Sequence, residues 1–207
     1  MTEQELFTLL QQEMHSVTVS IAGQEGIPRS TIMDVMLAEE GGLYVLAAKG
    51  SDIYDKLKQS PATAISGILG KSPENMRAVT LKGNLRPIGK DRLDEIFEKN
   101  AYLQEIYPNE KSRRVLEVFC MDKGEGEYIT LHGAEFRREL VSFGGAQVIP
   151  KGYRIDEKRC IGCQGCRSIC PVSCIRNTFP RFIDEQRCIR CGNCFQICLR
   201  RAIEKLG

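Results

Sequence analysis

Eight cysteines near the end of the chain are the residues whose type and spacing predict chemistry. They form two runs, CIGCQGCRSIC and CIRCGNCFQIC, and each has the spacing C-x2-C-x2-C-x3-C. Thiolates at this spacing bind 4Fe–4S clusters, because the C-x2-C-x2-C loop brings three ligands to one cluster. The first cysteine run contains Cys160, Cys163, Cys166 and Cys170, and the second contains Cys188, Cys191, Cys194 and Cys198. This part of the chain is therefore predicted to take up or supply electrons.

The segments that carry the two cysteine runs repeat each other at an offset of 28 residues. Ile155 corresponds to Ile183 before the cysteines, and Ile175 corresponds to Ile203 after them. Such a duplication predicts two copies of one supersecondary unit, related by a pseudo-twofold axis, with one cluster for each copy.

The duplicated tail closely resembles the bacterial two-cluster ferredoxins, in which the fourth cysteine of each run ligates the other cluster. The resemblance implies that Cys198 completes the ligand set of the first run and that Cys170 completes that of the second. Two metal centres also explain how so short a tail folds with little apolar content. Leu199 stands where the second run of this family often has proline.

Other uses of the cysteines fit the sequence less well. Structural zinc uses separate pairs of cysteines, and a disulfide framework belongs in a secreted chain. Cys174 lies opposite Ala202 in the repeat, which favours packing beside a cluster, although a ligand to a second metal is an alternative. Cys120 lies in an apolar strand and is expected in the core.

The charge of the chain is uneven, although the net charge is only +2. Residues 151–207 contain 12 basic and 5 acidic residues, whereas residues 1–150 contain 17 and 22. The basic residues lack the interleaved aromatic residues of a single-strand-binding groove, so nucleic acid is not an expected partner. They are expected to offset the charge of the clusters, about −2 for each cubane with four thiolates.

The first 141 residues show the pattern of a small antiparallel barrel. Strands are predicted at 17–21, 28–37, 43–48, 62–69 and 78–88, with turns at 23–26 and 39–42 and a closing hairpin of 115–121 with 126–133. Helices are predicted at 2–14, with a capping box of Thr2 and Glu5, at 52–59 after the N-cap Ser51, and at 91–107, where Leu93, Ile96, Phe97, Leu103 and Ile106 form the buried side. Residues 142–152 read as a linker before a tail domain at 153–207. The fold class is thus α+β, with a barrel, flanking helices and a small ferredoxin domain.

Three segments, GIPRSTIMDVML, GGLYVLAAKGSDIYDKLKQSPATAI and RAVTLKGNLRPI, resemble the pyridoxamine 5'-phosphate oxidase-like split-barrel flavoproteins over about residues 17–133. The resemblance implies an antiparallel split β-barrel, a homodimer and FMN at the subunit interface. It places along the flavin the strand residues Arg29, Ser30 and Thr31.

The same resemblance places the flavin phosphate at Lys49 and Ser51, where a helix N-terminus with a hydroxyl and an ammonium suits an anion. The family usually has basic residues after this serine, but the chain has Asp52 and Ile53. Lys56 or Arg77 is expected to compensate for them. The alternative is a barrel in which Lys49 and Arg29 are only solvated.

These features together predict an iron–sulfur flavoprotein oxidoreductase that relays electrons between two clusters and FMN, to or from a small substrate or a redox partner protein. A flavin suits this position because it exchanges single electrons with clusters and pairs of electrons with substrates. No G-x-G-x-x-G motif follows a strand, so no nicotinamide site is predicted. The alternative is a non-catalytic electron-transfer protein whose barrel dimerises or docks a partner. A barrel that binds haem or a deazaflavin is a third hypothesis.

The remaining sequence signals concern location and acid–base groups. No run of about 18 apolar residues predicts a membrane span, and the N-terminus lacks a signal peptide, so we expect a cytoplasmic protein. His15 is predicted at the junction of the first helix and strand, and His132 is predicted at the end of the last barrel strand. Both are expected to be structural or exposed. Tyr44, Tyr54 and Tyr128 are tyrosines that could donate protons near a flavin, but nothing distinguishes one of them as catalytic.

Overall fold

The computed structural model describes residues 1–23, 27–39 and 41–207. The turns predicted at 23–26 and 39–42 lie partly outside the described residues. Two antiparallel sheets form the N-terminal part, and a third, two-stranded sheet lies in the tail. The α+β fold class predicted from the sequence is confirmed.

The larger sheet has six strands in the spatial order β10-β9-β6-β5-β1-β2. Its strands are β1 (Ser16–Ile21), β2 (Arg29–Asp34), β5 (Ala62–Ser72), β6 (Asn75–Asn84), β9 (Gly124–His132) and β10 (Glu135–Phe143). The smaller sheet has the order β3-β4-β8-β7. It contains β3 (Leu37–Glu39), β4 (Gly42–Ala48), β7 (Arg86–Gly89) and β8 (Leu116–Met121).

The main core lies between these two sheets because alternate strand residues point inward. Val17, Val19 and Ile21 of β1 are buried, as the period-two pattern predicts. Phe119 of β8 and Phe143 of β10 are also fully buried, so both sheets contribute aromatic side chains to the same core.

Two predicted strands are each divided between the sheets. The strand predicted at 28–37 breaks after Asp34, and its end forms β3; Val35, at the break, is fully buried. The strand predicted at 78–88 breaks at Leu85 and continues as β7. At each bend an apolar residue continues the hydrophobic pattern of the strand. The sequence pattern therefore does not show that the chain passes from one sheet to the other.

The predicted closing hairpin is wrong. Strand β8 pairs with β4 and β7, whereas β9 pairs with β6 and β10, so residues 122–123 carry the chain from one sheet to the other. The glycines that resembled turn residues allow close approach of backbones instead: a Cβ on Gly126 would lie 1.8 Å from Thr80 O. The prediction also missed β10, so His132 does not end the last barrel strand.

Two of the predicted helices have the predicted bounds, and the third is divided into shorter helices. The capping box of Thr2 and Glu5 starts α1 (Glu3–Thr8), which continues as a π-helix (Leu9–Met14), and Ser51 caps α2 (Asp52–Gln59). The helix predicted at 91–107 is divided into α3 (Leu93–Lys99) and α4 (Leu103–Ile106), and α5 (Glu110–Arg113) follows. Ile106 is 59% exposed, so its predicted burial is wrong.

The division between α3 and α4 has a local cause. The side chain of Asn100 is buried, and its Nδ2 donates to Ile96 O at 2.9 Å and to Met36 O at 3.0 Å. Asn100 therefore ends α3 and ties it to the segment between β2 and β3. An asparagine that satisfies backbone carbonyls in this way competes with continuation of the helix.

The tail contains β11 (Gly152–Ile155), α6 (Gly165–Ser168), α7 (Asn193–Ile197) and β12 (Ile203–Leu206). Strand β11 pairs with β12, so the start of the first repeat lies against the end of the second. An isolated bridge joins Ile175 to Ile183, which connects the other two repeat ends in the same way. The two repeats are therefore intertwined, and their isoleucines share one small core.

No helix in the described part of the chain is long and apolar enough to cross a membrane.

Candidate functional site

Two pockets in the tail contain all the cysteines of the two runs. The first pocket is lined by Cys160, Cys163, Cys166 and Cys198, together with Ile155 and Ile203. The second pocket is lined by Cys170, Cys188, Cys191 and Cys194, together with Cys174. The fold thus carries the fourth cysteine of each run to the other run, because the repeats are intertwined.

The loops around these pockets repeat the same backbone conformation. Within residues 156–202, six residues have left-handed φ angles and fall into three pairs separated by 28 residues. The pairs are Gly162 (71°) with Arg190 (59°), Gln164 (69°) with Gly192 (82°), and Ser173 (48°) with Arg201 (49°). The duplication is therefore structural as well as sequential, and non-glycine residues adopt a conformation that is uncommon for them.

Backbone N–H groups at two of these turns donate to cysteine sulfurs. Arg190 N lies 3.4 Å from Cys188 Sγ, and Ala202 N lies 3.3 Å from Cys198 Sγ. Hydrogen bonds to the sulfurs stabilise their negative charge and are among the interactions that tune a cluster's reduction potential.

Four cysteines around one pocket are the donor set of a 4Fe–4S cluster, so the residues present fit that group. Among residues 1–23, 27–39 and 41–207, no three His, Cys, Asp or Glu side chains converge as ligands of a single ion. A cubane cluster differs from a single ion because each thiolate binds a separate iron atom. The assignment of particular cysteines to particular clusters stays a prediction.

The comparisons with known proteins agree with the chemistry of these cysteines. Residues 153–176 match the family described as "4Fe-4S binding domain". This match covers the first cysteine run only. No curated protein matches this chain.

Solved structures identify the fold of the N-terminal part. A NimC/NimA family protein from Clostridium acetobutylicum is similar over 68% of this chain and 92% of its own, with a TM-score of 0.56 and 19% identity. PhzG from Burkholderia lata, in complex with tetrahydrophenazine-1-carboxylic acid, matches over 72% and 90%, with a TM-score of 0.52 and 10% identity. A heme binding protein from Mycobacterium smegmatis matches over 72% and 63%, with a TM-score of 0.55 and 15% identity. The N-terminal part has the split-barrel fold of pyridoxamine phosphate oxidase-like proteins.

Cys174 is a fifth thiol in the second pocket. It is 3% exposed, and its Sγ lies 3.5 Å from Cys170 Sγ. A hydrogen bond with Cys188 raises the pKa of Cys174, and burial raises it further. The same hydrogen bond lowers the pKa of Cys188 to about 6. The hydrogen bond therefore favours the thiolate on Cys188 rather than on Cys174.

Each pocket has a weakly exposed arginine beside it. Arg181, 7% exposed, lines the first pocket and donates from Nη2 to Gly162 O at 3.2 Å. Arg138, on barrel strand β10, donates from Nη1 to Cys188 O at 2.6 Å. Burial lowers the pKa of Arg138, and the nearby charge of Arg190 adds to this effect. The sequence predicted that arginines of the tail lie at the clusters. It gave no sign of Arg138, because this residue precedes Cys188 by 50 positions.

The residues predicted to contact a flavin lie in two groups. Arg29 and Ser30 are exposed on β2, an edge strand of the larger sheet, and Thr31 follows them. The hydroxyl of Ser30 is 2.7 Å from that of Ser20. Among the described residues, no hydrogen bond or ion pair joins this group to Lys49 or Ser51.

The second group lies where β4 ends and α2 begins. Lys49 is exposed, and Lys56 lies partly buried on α2. Ser51 Oγ donates to Ala48 O at 2.7 Å and accepts from Tyr54 N at 3.4 Å. Arg77 forms an ion pair with Glu13 at 2.5 Å. The hydroxyl of Ser51 and the charge of Arg77 thus already have partners within one chain, whereas Lys49 presents its ammonium to solvent.

The candidate acid–base groups are placed as follows. His15 Nε2 lies 3.6 Å from Asp34 Oδ2, and His132 is exposed at the end of β9. Tyr54 donates its hydroxyl to Glu117 at 2.6 Å. Burial raises the pKa of Tyr44 to about 12 and also raises the pKa of Tyr128. Each tyrosine therefore holds its proton at neutral pH.

Proposed function

We propose that this chain is an electron-transfer protein in which two 4Fe–4S clusters exchange electrons with an FMN bound to the barrel. The observation that carries the proposal is the pair of cysteine-lined pockets, each built from both cysteine runs. Two such pockets in one small domain form a short path along which electrons move singly. The attached split barrel supplies a second surface that can hold a cofactor.

The proposed ligands follow the lining of the pockets. Cys160, Cys163, Cys166 and Cys198 hold one cluster, and Cys170, Cys188, Cys191 and Cys194 hold the other. Cys174 stays a protonated neighbour of the second cluster. In this proposal the chain divides into a flavin domain at 1–141, a linker at 142–152 and a ferredoxin domain at 153–207, although β10 extends to Phe143.

The barrel residues have a defined part in the proposal. Lys49 supplies positive charge for the phosphate of FMN beside Ser51, and Arg29, Ser30 and Thr31 lie along the flavin. When bound, a flavin accepts electrons singly and delivers them in pairs. The proposal also includes a homodimer in which two protomers complete each site.

The experiment measures the cofactors of anaerobically purified protein. Iron and acid-labile sulfide are quantified, and the cofactor released by acid is identified from its spectrum and mass. We expect iron and sulfide in equal amounts and FMN at about one per chain. Absence of any flavin after reconstitution with FMN contradicts the proposal. Release of haem would show that the protein binds haem instead of FMN.

A second measurement separates an enzyme from a carrier. The clusters are reduced anaerobically, and the flavin absorbance is followed in a stopped-flow instrument. Loss of flavin absorbance after the clusters are reduced supports the relay, because the electrons then reach the barrel. Reoxidation by a small substrate indicates an oxidoreductase, whereas reoxidation only by another redox protein indicates a non-catalytic electron-transfer protein.

A further inference from the structure

The second pocket is the one attached to the barrel. The hydrogen bonds and ion pairs found between the described barrel and residues 153–207 all reach residues 186–190, at the start of the second cysteine run. Arg138 N donates to Gln186 O at 2.7 Å, and Arg138 Nη1 donates to Cys188 O at 2.6 Å. These bonds come from one barrel residue to the backbone that begins the second run.

Glu127 of strand β9 completes this contact. Its Oε2 lies 3.1 Å from Arg138 Nε, and its Oε1 accepts a hydrogen bond from Arg190 Nη1. The side chains of Arg138 and Glu127 are only 12% and 23% exposed, so solvent screens their charges weakly. Arg190 itself lines the second pocket. One barrel carboxylate therefore lies between two arginines beside that pocket.

The first pocket has a different source of positive charge. Its buried arginine is Arg181, which belongs to the segment between the two cysteine runs. The tail therefore supplies the cation of the first pocket, whereas the barrel supplies a cation to the second.

We infer that the second cluster site is the one nearer the barrel, and that Arg138 and Glu127 of the barrel set its reduction potential. The inference rests on the proposed function for the presence of the clusters. A buried cation stabilises the added negative charge of a reduced cluster and raises its potential, and a buried anion lowers it. The first cluster is then the outer member of the relay, where an external carrier exchanges electrons.

The test is an anaerobic redox titration of the whole protein, with both clusters followed by electron paramagnetic resonance. Arg138→Met is expected to shift the potential of one cluster to a more negative value and to leave the other unchanged. Glu127→Gln, which keeps the shape of the side chain, is expected to shift the same cluster to a more positive value. Arg181→Met is expected to shift the other cluster only.

Arg137→Met is the matched control, because Arg137 is the preceding residue of β10 and forms an exposed ion pair with Glu135. It is expected to leave both potentials unchanged. Arg138→Lys retains the charge and is expected to restore most of the shift. The inference is overturned if Arg138→Met leaves both potentials in place. It is also overturned if Arg138→Met and Glu127→Gln shift one cluster in the same direction, as loss of docking alone would do.

The potentials can be measured whether or not flavin is present. Shifts of opposite sign in protein that releases no flavin would support the inference and contradict the flavin relay. Protein that binds FMN but shows no shift would contradict the inference alone. Two clusters that never form would remove the proposed function itself.

Discussion

Ile155 at the start of the first repeat pairs with Ile203 at the end of the second. The complementary bridge joins Ile175 to Ile183, so each repeat closes on the other rather than on itself. This exchange accounts for the lining of the pockets, since a turn of four residues joins Cys198 to Ile203 at the start of β12. The pairing of strands and the exchange of cysteines are thus one structural feature.

Loss of Cys198 is predicted to remove the cluster of the first run. Cys198→Ala should lower the iron content by about half, because one of two four-iron clusters loses a ligand. The double variant Cys163→Ala with Cys198→Ala should lose no more iron than either single variant. Cys170→Ala should remove the other cluster. Iron and sulfide analysis with electron paramagnetic resonance measures each loss.

Cys174→Ala is the control for this series, because Cys174 is buried beside the second pocket without belonging to the proposed ligands. It should retain the iron of both clusters. If the double variant loses all of its iron while each single variant loses half, Cys163 and Cys198 serve different clusters.

Replacement of Lys49 is predicted to weaken FMN binding. Lys49→Gln removes an exposed ammonium from the proposed phosphate site, and a hydrogen bond to a charged group contributes about 1.5–3 kcal/mol. The dissociation constant for FMN should rise by about tenfold to a hundredfold. It is measured by titration of the apoprotein with FMN, from the quenching of flavin fluorescence. Lys58→Gln, on the exposed side of α2, is the control, and equal effects of the two variants would exclude Lys49 from the site.

Asn100 is predicted to stabilise the barrel. Its Nδ2 bonds both Ile96 O and Met36 O in a buried position. Asn100→Ala should lower the free energy of unfolding by about 1–3 kcal/mol, because a buried carbonyl loses its partner. Urea denaturation measures the change. Gln104→Ala, at an exposed position of α4, should cost less than about 0.5 kcal/mol. A cost for Asn100→Ala as small as that of the control would contradict this role.

Acid is predicted to remove the stabilising contribution of Glu95. Hydrogen bonds from Arg92 at 2.6 Å and Lys99 at 2.7 Å lower the pKa of Glu95 below its usual 4.5. A carboxyl group whose pKa is lower in the folded than in the unfolded state stabilises the protein at pH values above its unfolded-state pKa. This stabilisation is lost as the pH falls through the folded-state pKa. Above pH 4.5, the free energy of unfolding of the wild type should therefore be higher than that of Glu95→Gln, by less than about 1 kcal/mol.

The measurement compares urea unfolding of wild type and Glu95→Gln at several pH values between 3 and 6. The difference between the two proteins should shrink as the pH falls below about 4.5. Glu98→Gln, on the exposed face of the same helix, is the control. A difference that grows with acid would contradict the predicted sign.

Local signals in the sequence predicted much of the structure. The capping box of Thr2 and Glu5 and the N-cap Ser51 are confirmed, since each depends on residues within one helical turn. The strand pattern of Val17, Val19 and Ile21 also placed the core side of β1 correctly. Such features depend on short-range geometry and can therefore be predicted from the sequence.

Non-local pairing produced the errors. Gly124 and Gly126 are residues typical of a turn, but their strand pairs with β6 and β10. Glycine is required there because a neighbouring backbone approaches closely. Asn100 ends a helix because of Met36, 64 residues earlier. The helical periodicity of 91–107 carried no sign of that contact.

The spacing of the cysteines and the 28-residue repeat determined the chemistry of the tail by themselves, because ligand type and loop length are local properties. The sequence also determined that a split barrel accompanies it. Only the tertiary structure decided that Arg138 and Glu127 lie beside the second pocket and that Glu127 contacts Arg190. These contacts join barrel side chains to the tail, and a charge supplied by a distant strand leaves no periodic signature in the sequence.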